Sequence, residues 1–170
     1  MTARVLLGHG ASGNAASMRP HVEGLRRRGI EAAAVELPRG TAERAIPAYQ
    51  RQMGDDDART VIGGHSFGGR VASMIATERG VAGLVLLSYP LHRPGATGEL
   101  RVEHWPRIRC PVLLLSGESD PFARVDLLRA QVATQRGWTL HTYPGVQHGL
   151  LAVLDDALDR VAHFVRSLPG

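Results

Sequence analysis

The sequence predicts an α/β fold: a doubly wound, predominantly parallel six-stranded sheet with helices on both faces. Three observations carry this. Short apolar runs alternate with longer amphipathic stretches from end to end, the apolar runs are continuous, and glycine-rich polar segments follow directly after them. A strand buried on both faces reads as an unbroken apolar run, and parallel neighbours need a crossover between them, usually a helix. The 170 residues suit a single domain over 1–170, with chain enough for a core that needs no staples.

Taken in order, residues 5–7 form a first strand, and 14–17 read as loop. A helix follows, starting near 18–20 with Val22, Leu25 and Ile30 on its apolar side. Residues 32–37 are a second strand closed by Pro38, and 41–53 a helix with Gly54 as its C-cap. Val61 and Ile62 begin a third strand, which a glycine-rich turn joins to a helix over 71–76. The runs 81–87 and 112–115 are the fourth and fifth strands, and 139–143 the sixth. The last helix, 150–168, carries a stripe of Leu150, Leu154, Leu158, Val161, Val165 and Leu168 opposite Asp155, Asp156, Asp159 and Arg166, so it should lie against the sheet. Residues 88–109 lack periodicity; a loop of that length in a compact domain is expected to cover an active site, with no separate cap domain.

Composition removes several chemistries. All 20 basic residues are arginines. Without lysine there is no P-loop lysine, no Schiff-base lysine and no Ser-x-x-Lys acylase. The net charge is 20 − 16 = +4, and the pI of 10.2 reflects how little titrates between histidine and tyrosine. The run Arg26-Arg27-Arg28 reads as a solvated helix face, so no nucleic-acid partner is expected. The single cysteine, Cys110, excludes an internal disulfide, fits a reducing compartment and reads as a structural thiol. The first apolar run is too short for a signal peptide and none reaches membrane-spanning length; a cytoplasmic protein with no membrane partner is expected. The eight histidines include no H-E-x-x-H and no zinc spacing with cysteine, so no metal is expected. His21, His104, His141 and His163 read as surface or partly buried residues.

Open parallel sheets bind ligands at the carboxyl ends of their strands. Four polar segments fall there: Gly8 to Gly13, Gly63 to Gly69, Gly117 to Pro121 and Gly145 to Gly149. Gly64-His65-Ser66-Phe67-Gly68 fits G-x-S-x-G, the strained strand-to-helix turn that lifts a serine oxygen above the sheet edge. Ser66 could equally be a plain helix N-cap. Asp120 and His148 complete the order Ser, Asp, His. Asp120 before Pro121 also fits an N-cap of a helix over 122–130, Glu118 is a rival acid, and a lone histidine is usually structural. The three in order on one edge favour a triad. A second reading rests on Gly8, Gly10 and Gly13, which match the G-x-G-x-x-G of dinucleotide binders, with Glu36 ending the second strand. Pro20 counts against it, falling inside the helix such a loop should open. As a hydrolase, the chain would use the same loop's N–H groups with that of Phe67 as an oxyanion hole.

At these residues the sequence resembles the α/β-hydrolase superfamily, in particular a small branch similar to dienelactone hydrolases and the testis-expressed hydrolase-like proteins. The matching stretches are GHGASGN (Gly8 to Asn14), GHSFGGR (Gly64 to Arg70), LSYPLHRPG (Leu87 to Gly95), LLSGESDPF (Leu114 to Phe122) and GVQHGL (Gly145 to Leu150). The resemblance implies Ser66 as nucleophile, Asp120 as acid, His148 as base, oxyanion donors at Ala11 and Phe67, and a site edge at 89–92. It also implies the strand order 2-1-3-4-5-6. The family's first antiparallel strands and cap are absent from the pattern. The expected function is hydrolysis of small carboxylic esters or thioesters through an acyl-enzyme on Ser66, without a cofactor; a non-catalytic binding module on the same fold is the alternative. His9, His65, Tyr89, Leu91, His92 and Trp105, with Leu100, are the expected pocket residues, Trp105 serving either there or in the core. Oligomeric state is not readable.

Overall fold

Strands whose side chains point alternately to two faces need apolar residues at every position once both faces are covered. That condition is met in the computed structural model, which describes residues 2–170. The strands are β1 (Arg4–Gly8), β2 (Ala32–Val35), β3 (Thr60–His65), β4 (Gly83–Leu87), β5 (Val112–Gly117) and β6 (Trp138–Tyr143). They form one sheet in the order β2-β1-β3-β4-β5-β6, every pair parallel. Five helices connect or follow them: α1 (Arg19–Arg27), α2 (Ala42–Met53), α3 (Phe67–Ile75), α4 (Val125–Ala133) and α5 (Leu154–Ser167).

The pleat sorts the core into two layers. Val5, Leu7, Val61, Val85, Leu87, Leu113 and Leu115 face α1 and α5, meeting Val22, Leu25, Leu158, Val161 and Val165. Leu6, Ile62, Leu84, Leu86, Val112 and Leu114 face α2, α3 and α4, meeting Ala45, Tyr49, Val71, Ile75 and Leu128. The fully buried Tyr49 stitches the central strands. Its hydroxyl lies 2.8 Å from the Leu6 carbonyl and 2.7 Å from that of Gly63, and accepts the Gly63 N–H at 3.0 Å.

Several expected elements shift. Residues 14–17 are not a free loop: Ala15–Met18 is a 3-10 turn whose N-cap, Asn14, accepts the Ser17 N–H. Strand β3 runs through Gly63 and Gly64 to His65. Helix α3 starts at Phe67, and the fourth strand begins at Gly83. Helix α4 starts at Val125, so Asp120 does not cap it and Pro121 is not its first residue. The last helix is split, with a 3-10 turn at Leu151–Val153 before α5. No helix among the described residues is long and apolar enough to cross a membrane.

Register positions the site. Gly8 pairs with Gly64, His65 with Leu87, Leu87 with Leu115, and Gly117 with Tyr143. The strands therefore end nearly flush, and the four polar segments leave the sheet along one edge.

Candidate active site

Ser66 is the one residue between the end of β3 and the start of α3, and it holds φ at 48°. A non-glycine residue there is strained, and its neighbours must let backbone pass close by. A β-carbon on Gly64 would lie 2.5 Å from the Gly8 carbonyl oxygen and 2.6 Å from the Gly68 carbonyl carbon. One on Gly68 would overlap the Gly8 backbone. The turn is held by the Ser66 N–H donating to Leu87 O at 2.8 Å and Ser66 O accepting from Arg70 N–H at 3.0 Å. Although Ser66 occupies the N-cap position of α3, its side chain makes no cap bond. Its Oγ lies 2.8 Å from His148 Nε2.

His148 is oriented from its other nitrogen. Nδ1 lies 2.8 Å from Asp120 Oδ2. A carboxylate oxygen accepts, so the proton belongs on Nδ1 and Nε2 is left to accept the Ser66 hydroxyl. Asp120 Oδ1 accepts the Phe122 N–H at 2.8 Å, so both oxygens of this buried carboxylate are bonded. The loops carrying acid and base are packed together: Ser119 N–H donates to Val146 O at 2.9 Å, and a β-carbon on Gly117 would overlap the Val146 carbonyl. The imidazole is flanked by Phe122, ring centroids 4.4 Å apart, and by His65 at 5.3 Å. Glu118, the rival acid, is turned away, bonded to Thr142 at 2.8 Å and Arg129 at 3.0 Å.

A cleft of about 490 Å³ opens over Ser66, lined by Gly10, Ala11, Ser12, His65, Ser66, Phe67, Arg70, Pro90, Arg101, Phe122 and His148. Ala11 and Phe67 thus lie in it, and neither backbone N–H donates to a protein acceptor among the described residues. Phe67 opens its helix, where N–H groups have no partner one turn earlier. Burial, then the facing His148 and His21, push the His65 imidazole down to about 4, so it lines the cleft as a neutral ring. No group of three His, Cys, Asp or Glu side chains among the described residues is arranged to hold a metal ion.

Six expected pocket residues lie elsewhere. His9 is buried, its Nε2 accepting the Leu37 N–H at 2.9 Å and its Nδ1 donating to Gly10 O at 2.7 Å. It braces the loop that carries Ala11. His92 does the same for the acid's loop, accepting the Arg124 N–H at 3.0 Å and donating to Arg93 O at 2.8 Å. Tyr89 and Leu91 are fully buried, and they hold Arg101: Tyr89 Oη donates to Arg101 O at 2.6 Å and Arg101 N–H to Leu91 O at 2.8 Å. Trp105 is a core contact, packed between Tyr89 and Trp138. Leu100 packs on the same core. Segment 88–109 gives the cleft Pro90 and Arg101.

Arg70, Arg101 and Phe122 line the cleft although none is among the expected pocket residues, whereas Pro90 lies within the expected site edge at 89–92. Arg70 stands inside the quoted GHSFGGR stretch; nothing in the sequence marks Arg101. His21 and His104 are buried, against expectation, His104 bonding Ser73 Oγ at 2.8 Å. In the nucleotide reading's loop no helix opens at the glycines: α1 begins at Arg19, and Glu36 accepts the Ala15 N–H at 2.5 Å.

The sequence pattern described as the alpha/beta hydrolase domain matches residues 1–164. Among solved structures, a monoacylglycerol lipase of Paleococcus ferrophilus superposes with a TM-score of 0.79 at 16% identity, over 98% of this chain and 96% of that one. An esterase of Pyrococcus furiosus gives 0.81 at 16% identity, over 99% and 83%. The thioesterase domain from the curacin biosynthetic pathway gives 0.75 at 15% identity, over 98% and 91%. At these identities the likeness is one of fold.

Proposed function

The chain belongs to the alpha/beta hydrolase domain family, and we propose that it is a serine hydrolase of small carboxylic esters or thioesters, acting through an acyl-enzyme on Ser66. The observation that carries this is the unbroken line of hydrogen bonds from buried Asp120 through His148 to Ser66, 2.8 Å at each step, opening into a cleft. His148 Nε2 takes the Ser66 proton as Oγ attacks the acyl carbon. The N–H groups of Ala11 and Phe67 receive the carbonyl oxygen as it gains charge. The alcohol or thiol leaves with the proton from His148. Water then gives a proton to His148, attacks the acyl-enzyme and releases the carboxylic acid, while the proton returns to Ser66. Asp120 holds the tautomer and stabilises the charged ring. The reading takes 1–170 as one domain without a cap, with an open site suited to small substrates, in the reducing, cytoplasmic setting that a lone cysteine suits.

A fluorophosphonate probe should label the folded protein, and Ser66→Ala should abolish both the label and the turnover of short nitrophenyl esters. The expected loss in kcat is about 10⁵–10⁶-fold, as for other triads. Equal labelling of the two proteins, or no label on folded wild type, would sink the proposal.

A further inference from the structure

Five arginines are half-buried: Arg4, Arg28, Arg70, Arg79 and Arg101. Three of them have protein partners. Arg4 bonds Thr60 and the Met53 carbonyl, Arg28 bonds Asp159 and Asp155, and Arg79 bonds Asp57. Arg70 and Arg101 form no ion pair and donate no side-chain hydrogen bond among the described residues, and both line the cleft over Ser66. Burying a guanidinium without a partner costs free energy, so such groups are normally paired.

The arrangement is anchored. Arg70 sits on α3, four residues beyond Ser66. Arg101 is tied at both its N–H and its carbonyl to the buried Leu91 and Tyr89. Desolvation, followed by the like charges of Arg70 and Arg93, pulls the Arg101 guanidinium down. Glu99 and Glu103, the nearest acids in sequence, are both exposed and join no ion pair. What the wall lacks is an anion, and a guanidinium fork matches a carboxylate or phosphate.

We propose that Arg70 and Arg101 form an anion subsite, so that the substrate is an ester or thioester bearing a carboxylate or phosphate beside its scissile bond. This rests on the Ser66 hydrolase reading above.

Two matched substrate pairs test it and separate the two sources of charge. The first sets the mono-nitrophenyl ester of glutaric acid against nitrophenyl pentanoate, placing a carboxylate on the acyl side. The second sets the acetyl thioester of a phosphorylated thiol against that of the free alcohol form, placing a phosphate on the leaving group. In one pair the charged member should have a kcat/KM higher by about ten- to a hundredfold at low salt. The preference should shrink as salt is added. It should fall to near unity in Arg70→Gln or Arg101→Gln, to an intermediate value in Arg101→Lys, and persist in Arg136→Gln, which removes one exposed positive charge outside the cleft. A preference below twofold in both pairs overturns the proposal, as does one that survives both glutamine variants or is lost equally in Arg136→Gln.

Binding keeps this separate from the hydrolase reading. Calorimetry of Ser66→Ala with glutarate should give a signal that Arg101→Gln removes in the same background. That result without fluorophosphonate labelling of wild type would keep the anion site and discard the hydrolase. Labelling with no charge preference and no glutarate binding would do the reverse.

Discussion

Two histidines at strand ends make nearly the same pair of bonds and have different consequences. His9, just past β1, donates from Nδ1 to a carbonyl and accepts at Nε2 from the Leu37 N–H. His148, beyond β6, lies with Nδ1 against the Asp120 carboxylate and Nε2 against the Ser66 hydroxyl. The tautomer is the same in both. The partners differ: a peptide N–H cannot give up its proton to an imidazole, whereas a serine hydroxyl attacking an acyl carbon can, provided a carboxylate stabilises the imidazolium that forms. Access differs too, since His9 is 3% exposed and the His148 side chain 26%. One ring is a brace and the other, in the proposed function, is the base, and the partners make the distinction.

The sharpest way to break this comparison is to give His148 a partner of the wrong kind. Asp120→Asn keeps the shape but presents an amide, whose NH₂ can pair with an unprotonated Nδ1 and move the ring proton to Nε2. Turnover of a nitrophenyl ester should then fall about 10⁴-fold with little change in melting temperature. A loss under tenfold would assign the orienting role elsewhere.

A third kind of histidine sets the pH limits. In the folded protein His65 and His104 are held at about 4, chiefly by burial, against roughly 6.5 in an unfolded chain. Between those values the unfolded chain binds more protons, so stability is complete above about pH 6.5 and falls as pH drops toward about 4. The loss should reach a few kcal/mol. Urea midpoints taken from pH 7.5 down to 4.5 should show this slope, and His104→Gln should flatten it. An unchanged slope in that variant would assign the acid sensitivity to other groups.

Breaking the brace should cost less than breaking the triad, and by another route. His9→Ala leaves the Leu37 N–H without its partner and frees the Gly10 carbonyl, so stability should fall by about 1–3 kcal/mol. Because the Gly10–Ala11 loop loses its post, kcat should fall about ten- to a hundredfold, less than the roughly 10²–10³-fold of an oxyanion donor lost outright. The shape of the pH–rate profile should stay that of wild type. A shifted profile would mean that His9 takes part in proton transfer.

This comparison also marks how far the sequence could be read. That Ser66, Asp120 and His148 would be brought together was legible because their setting is local: a G-x-S-x-G turn, an aspartate after an apolar run, a histidine after another, in a fixed order. The parallel sheet and its two-layer core followed from unbroken apolar runs, whereas the strand order came only with the family resemblance. The run through Gly63 and Gly64 was missed because glycine has low strand propensity, yet here β3 must lie against Val85 and Gly8 with no room for β-carbons. His9, His92, Tyr89 and Leu91 were placed in the pocket because sequence gives the loop a residue sits on and not the direction of its side chain. That direction was set by distant backbone groups, Leu37 for His9 and Arg124 for His92. Arg101 was illegible for the complementary reason: its meaning lies in the carboxylate it lacks.

The smallest expected effect tests whether proximity in sequence was ever a guide to the acid. Glu118 lies two residues from Asp120, ends the same strand's loop and carries the same functional group. Its oxygen is already held by Thr142 at 2.8 Å and by Arg129 at 3.0 Å, and the arginine of that pair is largely solvent-exposed. A pair of that kind contributes about 0–1 kcal/mol. Glu118→Gln can keep the Thr142 hydroxyl bond through its amide oxygen, so ester turnover should change less than twofold and the melting temperature by no more than a few degrees. A loss comparable to that of Asp120→Asn would mean that the carboxylate serving His148 in turnover is not the one lying 2.8 Å from it at rest.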